Sequence, residues 1–405
     1  MKTIFTLLFT ALYMTVFSYN WIPFGPSGVH ANDVLFNAGD HGYSVICTDS
    51  GICVNNGAGY SWGTYNYGLP VWEAIPYDSS NVLLVMGDGS YADGIYKFNL
   101  TTNTFNVVEW CYIPTFIKFN TVNNTYYVGS RYNGLLSSPD GIVWDTVPYF
   151  QGKGCTAMDF YEQHIVIAQE NNVFATYYSD DGGLNWNQST SNIPIHNLKF
   201  DQNGMLYGVF TGFSNSSGLY LSHDFGHSWH MENFIDNMNT VGFDVVGNLF
   251  TGFHSAVTPY EGVAIYDTTS NNFNFLNNGL PNKNINRFEI NIIMSSITIF
   301  ACTDTGVYLN NNYLTSIQNN YSDFYNLNIY PNPANETIQV ESSQNTTIEI
   351  LNTQGQIVEE LRIINPKTVV DISKLPSGIY FMKAIADKTV SEGRRRMIVK
   401  KFIKL

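Results

Sequence analysis

Two acidic turns carry residue types that chemistry would need. Tyr177 to Trp186 reads YYSDDGGLNW, with Asp180 and Asp181 paired beside a tryptophan, and Tyr220 to Trp229 reads YLSHDFGHSW. A pair of carboxylates suggests general acid–base work. His223, His227 and His230 form H-x3-H-x2-H, a run that suggests a metal ligand set. GDGSYADG at 87–94 offers acidic and hydroxyl oxygens of the kind Ca²⁺ takes, without the full EF-hand loop pattern. Glu73, Asp88 and Glu261 are further carboxylates, and glycoside hydrolysis needs only two of them roughly 5 to 9 Å apart. There is no phosphate-binding glycine loop, nucleophile elbow or Cys/His signature.

The elements that must hold these residues change their meaning. Ser179, Asp181, Gly183 and Trp186 recur at the same offsets as Ser222, Asp224, Gly226 and Trp229, and the tryptophans stand 43 residues apart. Serine and aspartate side chains close turns by accepting backbone N–H bonds, and glycine supplies positive φ. The tryptophan then packs into the next strand. Every residue of the motif is explained by a hairpin, and the three histidines fall at its variable positions. Aromatic anchors recur at Trp21, Trp62, Phe105, Trp144, Trp186, Trp229, Phe273 and Tyr313, at intervals of 41, 43, 39, 42, 43, 44 and 40. A period of about 42 fits a four-stranded propeller blade. Between anchors an apolar strand, a D-x-x-G-x-L-aromatic strand such as DQNGMLY (201–207), and a third strand such as GLYLS (218–222) repeat in phase. The fold expected is all-β: a seven-bladed β-propeller over 19–317, with eight blades as the alternative. Either the strand near Trp21 or residues 313–317 closes the ring.

The S-x-D-x-G-x-x-W pattern resembles the Asp-box, or bacterial neuraminidase repeat, of many β-propellers. The resemblance implies that the box lies between the third and outermost strands, on the face opposite the usual ligand site. Sialidases of that kind clamp a carboxylate with three arginines, whereas the propeller here has only Arg131 and Arg287. The opposite face, built from second-to-third and fourth-to-first strand loops, is where a ligand is expected. Its candidates are Trp72, Glu73, Asp88, Tyr91, Asp93, Trp110, Tyr112, His254, Tyr260, Glu261 and Arg287, with His196 beside them. Aromatics with scattered carboxylates suit a glycan or protein ligand. No catalytic residue is selected, no metal site is assigned to the histidines, and Ca²⁺ at 87–94 is the one cofactor considered.

The chain has 405 residues, only 13% of them charged and 15% aromatic, which suits a turn-rich β protein. Residues 19–325 hold seven basic and 25 acidic side chains, while 327–405 hold eleven basic and eight acidic. The acidic propeller argues against nucleic acid or an anionic membrane as partner. Residues 1–18 read as a signal peptide with cleavage near Ser18, and no later stretch is apolar enough to cross a bilayer. Of five cysteines, Cys47 and Cys53 flank a short turn across which they could face each other, an odd count leaves at least one thiol unpaired, and buried free thiols are the reading for most of them.

Residues 318–326 read as a polar linker. The tail over 327–405 alternates apolar and polar residues between Pro and Asn turns, as in a small antiparallel β-sandwich. YPNP at 330–333, Asn352 to Gln356, LPSGIYF at 375–381 and the terminal KKFIKL resemble the type A C-terminal sorting domain of the type IX secretion system of Bacteroidota. That resemblance implies the secretion machinery as a partner and an extracellular or outer-membrane-surface location. The function expected is an exported propeller binding a glycan or protein. The alternatives are a polysaccharide-degrading glycoside hydrolase and an extracytoplasmic assembly factor.

Overall fold

The computed structural model describes residues 21–38, 42–55, 61–171, 173–212, 217–244, 247–254, 261–267, 270, 272–293, 296–310, 327–342, 346–352, 357–363, 367–389 and 395–404. The expected leader at 1–18, the closing candidate at 313–317, the linker at 318–326 and Tyr260 lie outside them. Contacts divide the chain into two compact units, Met1–Tyr313 and Leu314–Leu405.

The first unit holds seven antiparallel four-stranded sheets among the described residues. Blade 1 comprises Ala31–Ala38, Tyr43–Thr48, Gly51–Asn55 and Trp62–Asn66. Blades 2 to 6 begin with the inner strands Val71–Pro76, Pro114–Asn120, Cys155–Tyr161, Asn197–Phe200 and Met238–Phe243. Blade 7 contributes Ile285–Ile293, Ser296–Thr303 and Gly306–Asn310, and its outer strand is the N-terminal Ile22–Pro23, paired Ile22 to Leu309 and Pro23 to Tyr308. Each inner strand touches those of its neighbouring blades, and that of blade 7 touches that of blade 1. The ring therefore closes with strands from both ends of the repeat array, and radial repetition leaves only short, protected sheet edges. Trp21 anchors the closing strand, buried, with its indole N–H donating to the Leu276 carbonyl.

The register contains a device the repeat pattern hides. In six blades the inner strand bulges at its second residue: Asn32, Trp72, Thr115, Thr156, Asn239 and Asn286. A bulge leaves one residue outside the ladder and re-aims its side chain. Four of these side chains donate to the carbonyl of the first inner-strand residue of the next blade. Asn32 donates to Val71 at 3.0 Å, Thr115 to Cys155 at 2.6 Å, Asn239 to Ile285 at 3.0 Å, and Asn286 across the closure to Ala31 at 3.0 Å. Blades are thus stitched by hydrogen bonds near the axis and by apolar packing farther out.

The anchors pack as their spacing predicts. Trp144, Trp186 and Trp229 are buried, and Trp186 meets Phe150 edge-on at 4.8 Å. The turns before them share one bonding scheme. Ser179 Oγ donates to Asp181 Oδ1 at 2.8 Å and accepts from Gly183 N at 2.8 Å, while Asp181 accepts from Asn185 N at 2.9 Å. Ser222, Asp224 and Gly226 repeat it, and so do Ser138, Asp140 and Gly141 in a turn whose sequence match is poorer.

The cysteines correct one expectation. Cys47 pairs with Ile52 and Cys53 with Ile46, so the two thiols lie on opposite faces of the hairpin. A two-residue turn sets that register, and adjacent strand positions alternate in direction. All five cysteines are buried free thiols.

The second unit has a three-stranded sheet of Leu327–Tyr330, Thr337–Ser342 and Lys367–Asp371, and a four-stranded sheet of Ile357–Ile363, Thr346–Leu351, Gly378–Thr389 and Arg395–Lys404. Ile338, Val340, Ile348, Ile350, Met382 and Phe402 form its core. Buried residues alternate with less buried ones over 337–341 and 347–351, as in the sandwich expected.

Candidate functional site

The loops at the starting ends of the inner strands form one face of the propeller, and its best-built part spans blades 2 and 3. Asp93 organises it. Its carboxylate accepts from the backbone N–H groups of Asp88, Gly89 and Ser90 at 3.0 to 3.1 Å and from Ile113 N at 2.9 Å, which ties the loop at 87–94 to the lead-in of blade 3. A Cβ on Gly87 would stand 2.5 Å from Asp93 Cγ, so this position requires glycine. Four N–H dipoles point at the carboxylate, a polarity that fills an anion nest and does not frame a cation. Asp93, one of the two carboxylates of the loop considered for Ca²⁺, is thus used internally.

Aromatic side chains stand on this frame. Trp72, turned outward by its bulge, donates from Nε1 to the Gly87 carbonyl at 2.7 Å. Tyr112 N donates to Asn133 Oδ1 at 2.8 Å, and Ser130 Oγ donates to the Tyr112 carbonyl at 2.6 Å. Tyr112 and Tyr132 rings lie 5.3 Å apart. Trp110, at the end of blade 2's outer strand, is 57% exposed, and Tyr91, Tyr112 and Tyr132 are exposed with it. Blades 2 and 3 thus carry five exposed aromatics, Trp72, Tyr91, Trp110, Tyr112 and Tyr132, of which Tyr112 and Tyr132 are in ring contact. Tyr132 carries no sequence signal, because it sits in a second-to-third turn of only three residues, Arg131 to Asn133.

Other candidates lie elsewhere. Glu73 is only 4% exposed and faces the channel. It is paired with Lys118 Nζ at 2.6 Å and Arg287 at 2.8 Å, and accepts from Ile117 N at 3.0 Å. Burial pushes its carboxyl up, but Arg287 and Lys118 together hold it below the usual range. Asp33, 3.6 Å from Arg287, is pushed up by burial against the pull of that arginine. Glu73 and Arg287 are therefore brought together, in a structural charge network and not on the rim. His196, held down to about 4 by burial, is neutral near pH 7. Glu261 pairs with Lys283.

Across the face, blades 6, 7 and 1 place polar groups together. Asp304 Oδ1 is 3.1 Å from His30 Nε2 and 3.7 Å from His254 Nε2, its Oδ2 accepts from Asn284 at 2.7 Å, and Asp49 stands 3.2 Å from the other ring nitrogen of His30. Of these, only His254 was a sequence candidate. The rest sit on separate two-residue turns and strand starts, far apart in the chain.

On the opposite face, His223, His227 and His230 do not converge. His227 stacks on Tyr178 at 3.8 Å and reaches Asp180 at 3.0 Å, while His223 and His230 stack on each other at 5.0 Å. Asp180 also meets His164 at 2.8 Å, linking blades 4 and 5. Among the described residues no group of three His, Cys, Asp or Glu stands in metal-binding geometry.

Fold and comparisons define the class: an all-β propeller followed by an export domain. Residues 328–400 match the family described as the secretion system C-terminal sorting domain. Such a tail marks a chain for export to the cell surface or the extracellular space. The extracellular domain of BT4673 from B. thetaiotaomicron is similar in structure, with a TM-score of 0.55 and 14% identity over 91% of this chain. The chain spans 52% of that neighbour's length. YCF48, solved bound to a D1 peptide, is similar with a TM-score of 0.52 and 10% identity over 72% of this chain and 94% of its own. These likenesses show the fold. No curated protein matches the chain. No helix among the described residues is long and apolar enough to cross a membrane.

Proposed function

We propose that the protein is an exported propeller that binds a glycan on the face bearing the aromatic shelf. The observation that carries this reading is the joint exposure of Trp72, Tyr91, Trp110, Tyr112 and Tyr132 on loops locked by Asp93 and Ser130. Flat rings with fixed backbones offer sugar C–H faces a surface at little conformational cost. Asp88 and the free edges of the loop at 87–94 add acceptors for hydroxyl groups. We assign the three Ser–Asp–Gly–Trp turns to the Asp-box class, which supports a binding face opposite them. The sorting tail supports attachment to, or release from, the cell surface, with cleavage of a leader near Ser18.

A glycoside hydrolase would need two carboxylates free to reach a sugar. Glu73 is buried in ion pairs and Glu261 is paired with Lys283, which favours binding over hydrolysis. A glycan array and a pull-down on intact cells test the reading. Capture of a polysaccharide that weakens on Trp110→Ala supports it. No ligand from either assay, together with measurable glycosidase turnover, refutes it.

A further inference from the structure

The two ends of the central channel differ, and the far end holds a cavity that the shelf does not use. It is an open cleft of about 480 Å³. It opens between the closing ends of the inner strands of blades 2 to 5, on the face of the Ser–Asp–Gly–Trp turns. Tyr77, Phe119 and Tyr126 form its wall, with Phe119 and Tyr126 centroids 4.4 Å apart and Tyr77 6.0 Å from Tyr126. Lys118 and Lys199 reach it from blades 3 and 5, beside Asp159.

The lysines are set by one construction used twice. A carboxylate on one inner strand accepts a backbone N–H and an ammonium from the next blade. Glu73 takes Ile117 N at 3.0 Å and Lys118 Nζ at 2.6 Å, and Asp159 takes Phe200 N at 2.7 Å and Lys199 Nζ at 3.1 Å. An ammonium has three donors. Among the described residues each of these is bonded to one carboxylate, and Lys118 and Lys199 remain 29% and 46% exposed. Asp159 holds Lys199 above its ordinary range, so the positive charge persists. The propeller has seven basic residues against 25 acidic ones, yet two of the seven line this one cavity. Its walls are flat and apolar, and its charged heads have donors to spare.

We propose that this cavity binds a small organic anion: a carboxylate on a flat apolar body, with the carboxylate received by Lys118 and Lys199 and the body packed against Tyr126 and Phe119. The site is separate from the shelf, so neither reading depends on the other.

The test titrates the full chain with benzoate and with neutral benzamide, following ligand NMR signals and calorimetry. Benzoate binds and benzamide binds at least tenfold more weakly, because the charge-assisted bonds are lost. Lys199→Gln and Lys118→Gln each weaken benzoate by about ten- to a hundredfold, the loss expected for hydrogen bonds to a charged group. Lys153→Gln, a lysine outside the cavity, leaves the affinity unchanged. Should either cavity variant fail to fold, nuclear Overhauser contacts in the wild type decide: they run from benzoate to Tyr126 and Phe119 if the site is real. Equal binding of benzoate and benzamide, benzoate affinity unmoved in folded Lys199→Gln, or contacts to other rings alone would overturn the assignment.

Discussion

Arg287→Met is the sharpest perturbation of the channel. Arg287 stands 2.8 Å from Glu73 and 3.6 Å from Asp33, and Lys118 stands 2.6 Å from Glu73. Two acids and two bases balance. Removing the guanidinium leaves Lys118 on Glu73 and strands Asp33, which is buried. Breaking a buried pair costs about 3–5 kcal/mol. Since one acid keeps a partner, the lower end applies, about 3 kcal/mol. The loss depends on pH with a definite sign. Burial already raises Asp33 in the native state, and Arg287 is the largest influence pulling it down. Without Arg287 it rises further. A carboxyl raised on folding contributes stability fully present below its unfolded pKa and lost as pH climbs through the folded value. The variant is therefore penalised more at about pH 8 than at about pH 5. All seven tryptophans lie in residues 21–229, so fluorescence during urea unfolding reports the propeller alone. Asp33→Asn in the Arg287→Met background should restore stability, with a coupling of about 1–3 kcal/mol. A loss below about 1 kcal/mol that is equal at both pH values, with additivity within about 0.5 kcal/mol, refutes the network reading.

Other outcomes follow from the same structure. Trp186→Ala costs the propeller about 3–5 kcal/mol in urea, whereas exposed Trp110→Ala stays within about 0.5 kcal/mol; equal losses would contradict the division into anchor and shelf. Asp181 is held down to about 2, by the Asn185 side chain first and then the Asn185 N–H and Ser179 hydroxyl. Its contribution is present above the unfolded value and lost as pH falls through about 2, and carboxyl NMR showing an ordinary aspartate would sink it. His196 shows no titration by NMR near neutrality, since its folded value of about 4 means that its stability contribution disappears only in acid. Deleting residues 327–405 traps the protein in the periplasm, and unchanged surface display would refute the sorting role.

The propeller was legible because its signal is local and repeated. Trp, Ser, Asp and Gly at fixed offsets mark the outer hairpins of blades 4 and 5, aromatic anchors carry the period through the others, and even Trp21, far from its blade in sequence, kept the anchor's phase. The degraded turn at Ser138 and Asp140 folds as its fuller counterparts do, because Ser and Asp alone supply the two acceptors. What the spacing could not show is what crosses blades. Glu73 reads as a surface carboxylate until Arg287, from the other end of the repeat array, is seen beside it. The bulge residues Asn32, Asn239 and Asn286 are ordinary asparagines until the ring places the next blade's carbonyl within reach. The same reason hid His30, Asp49 and Asp304, which meet only where blades 7 and 1 close. Cys47 and Cys53 misled because a turn was seen without its register. The exposed aromatics Trp72, Tyr91, Trp110 and Tyr112 were legible as residues, but not the bonds through Asp93 that tie the loop at 87–94 to the lead-in of blade 3.

The central claim is that this shelf is the binding face of an exported propeller. One measurement tests it most directly: a glycan array probed with the wild type and with Trp110→Ala/Tyr112→Ala of equal thermal stability. The account predicts binding to a set of polysaccharides that the double variant loses. A wild type that binds no glycan, or a double variant that binds the same set undiminished, would contradict it.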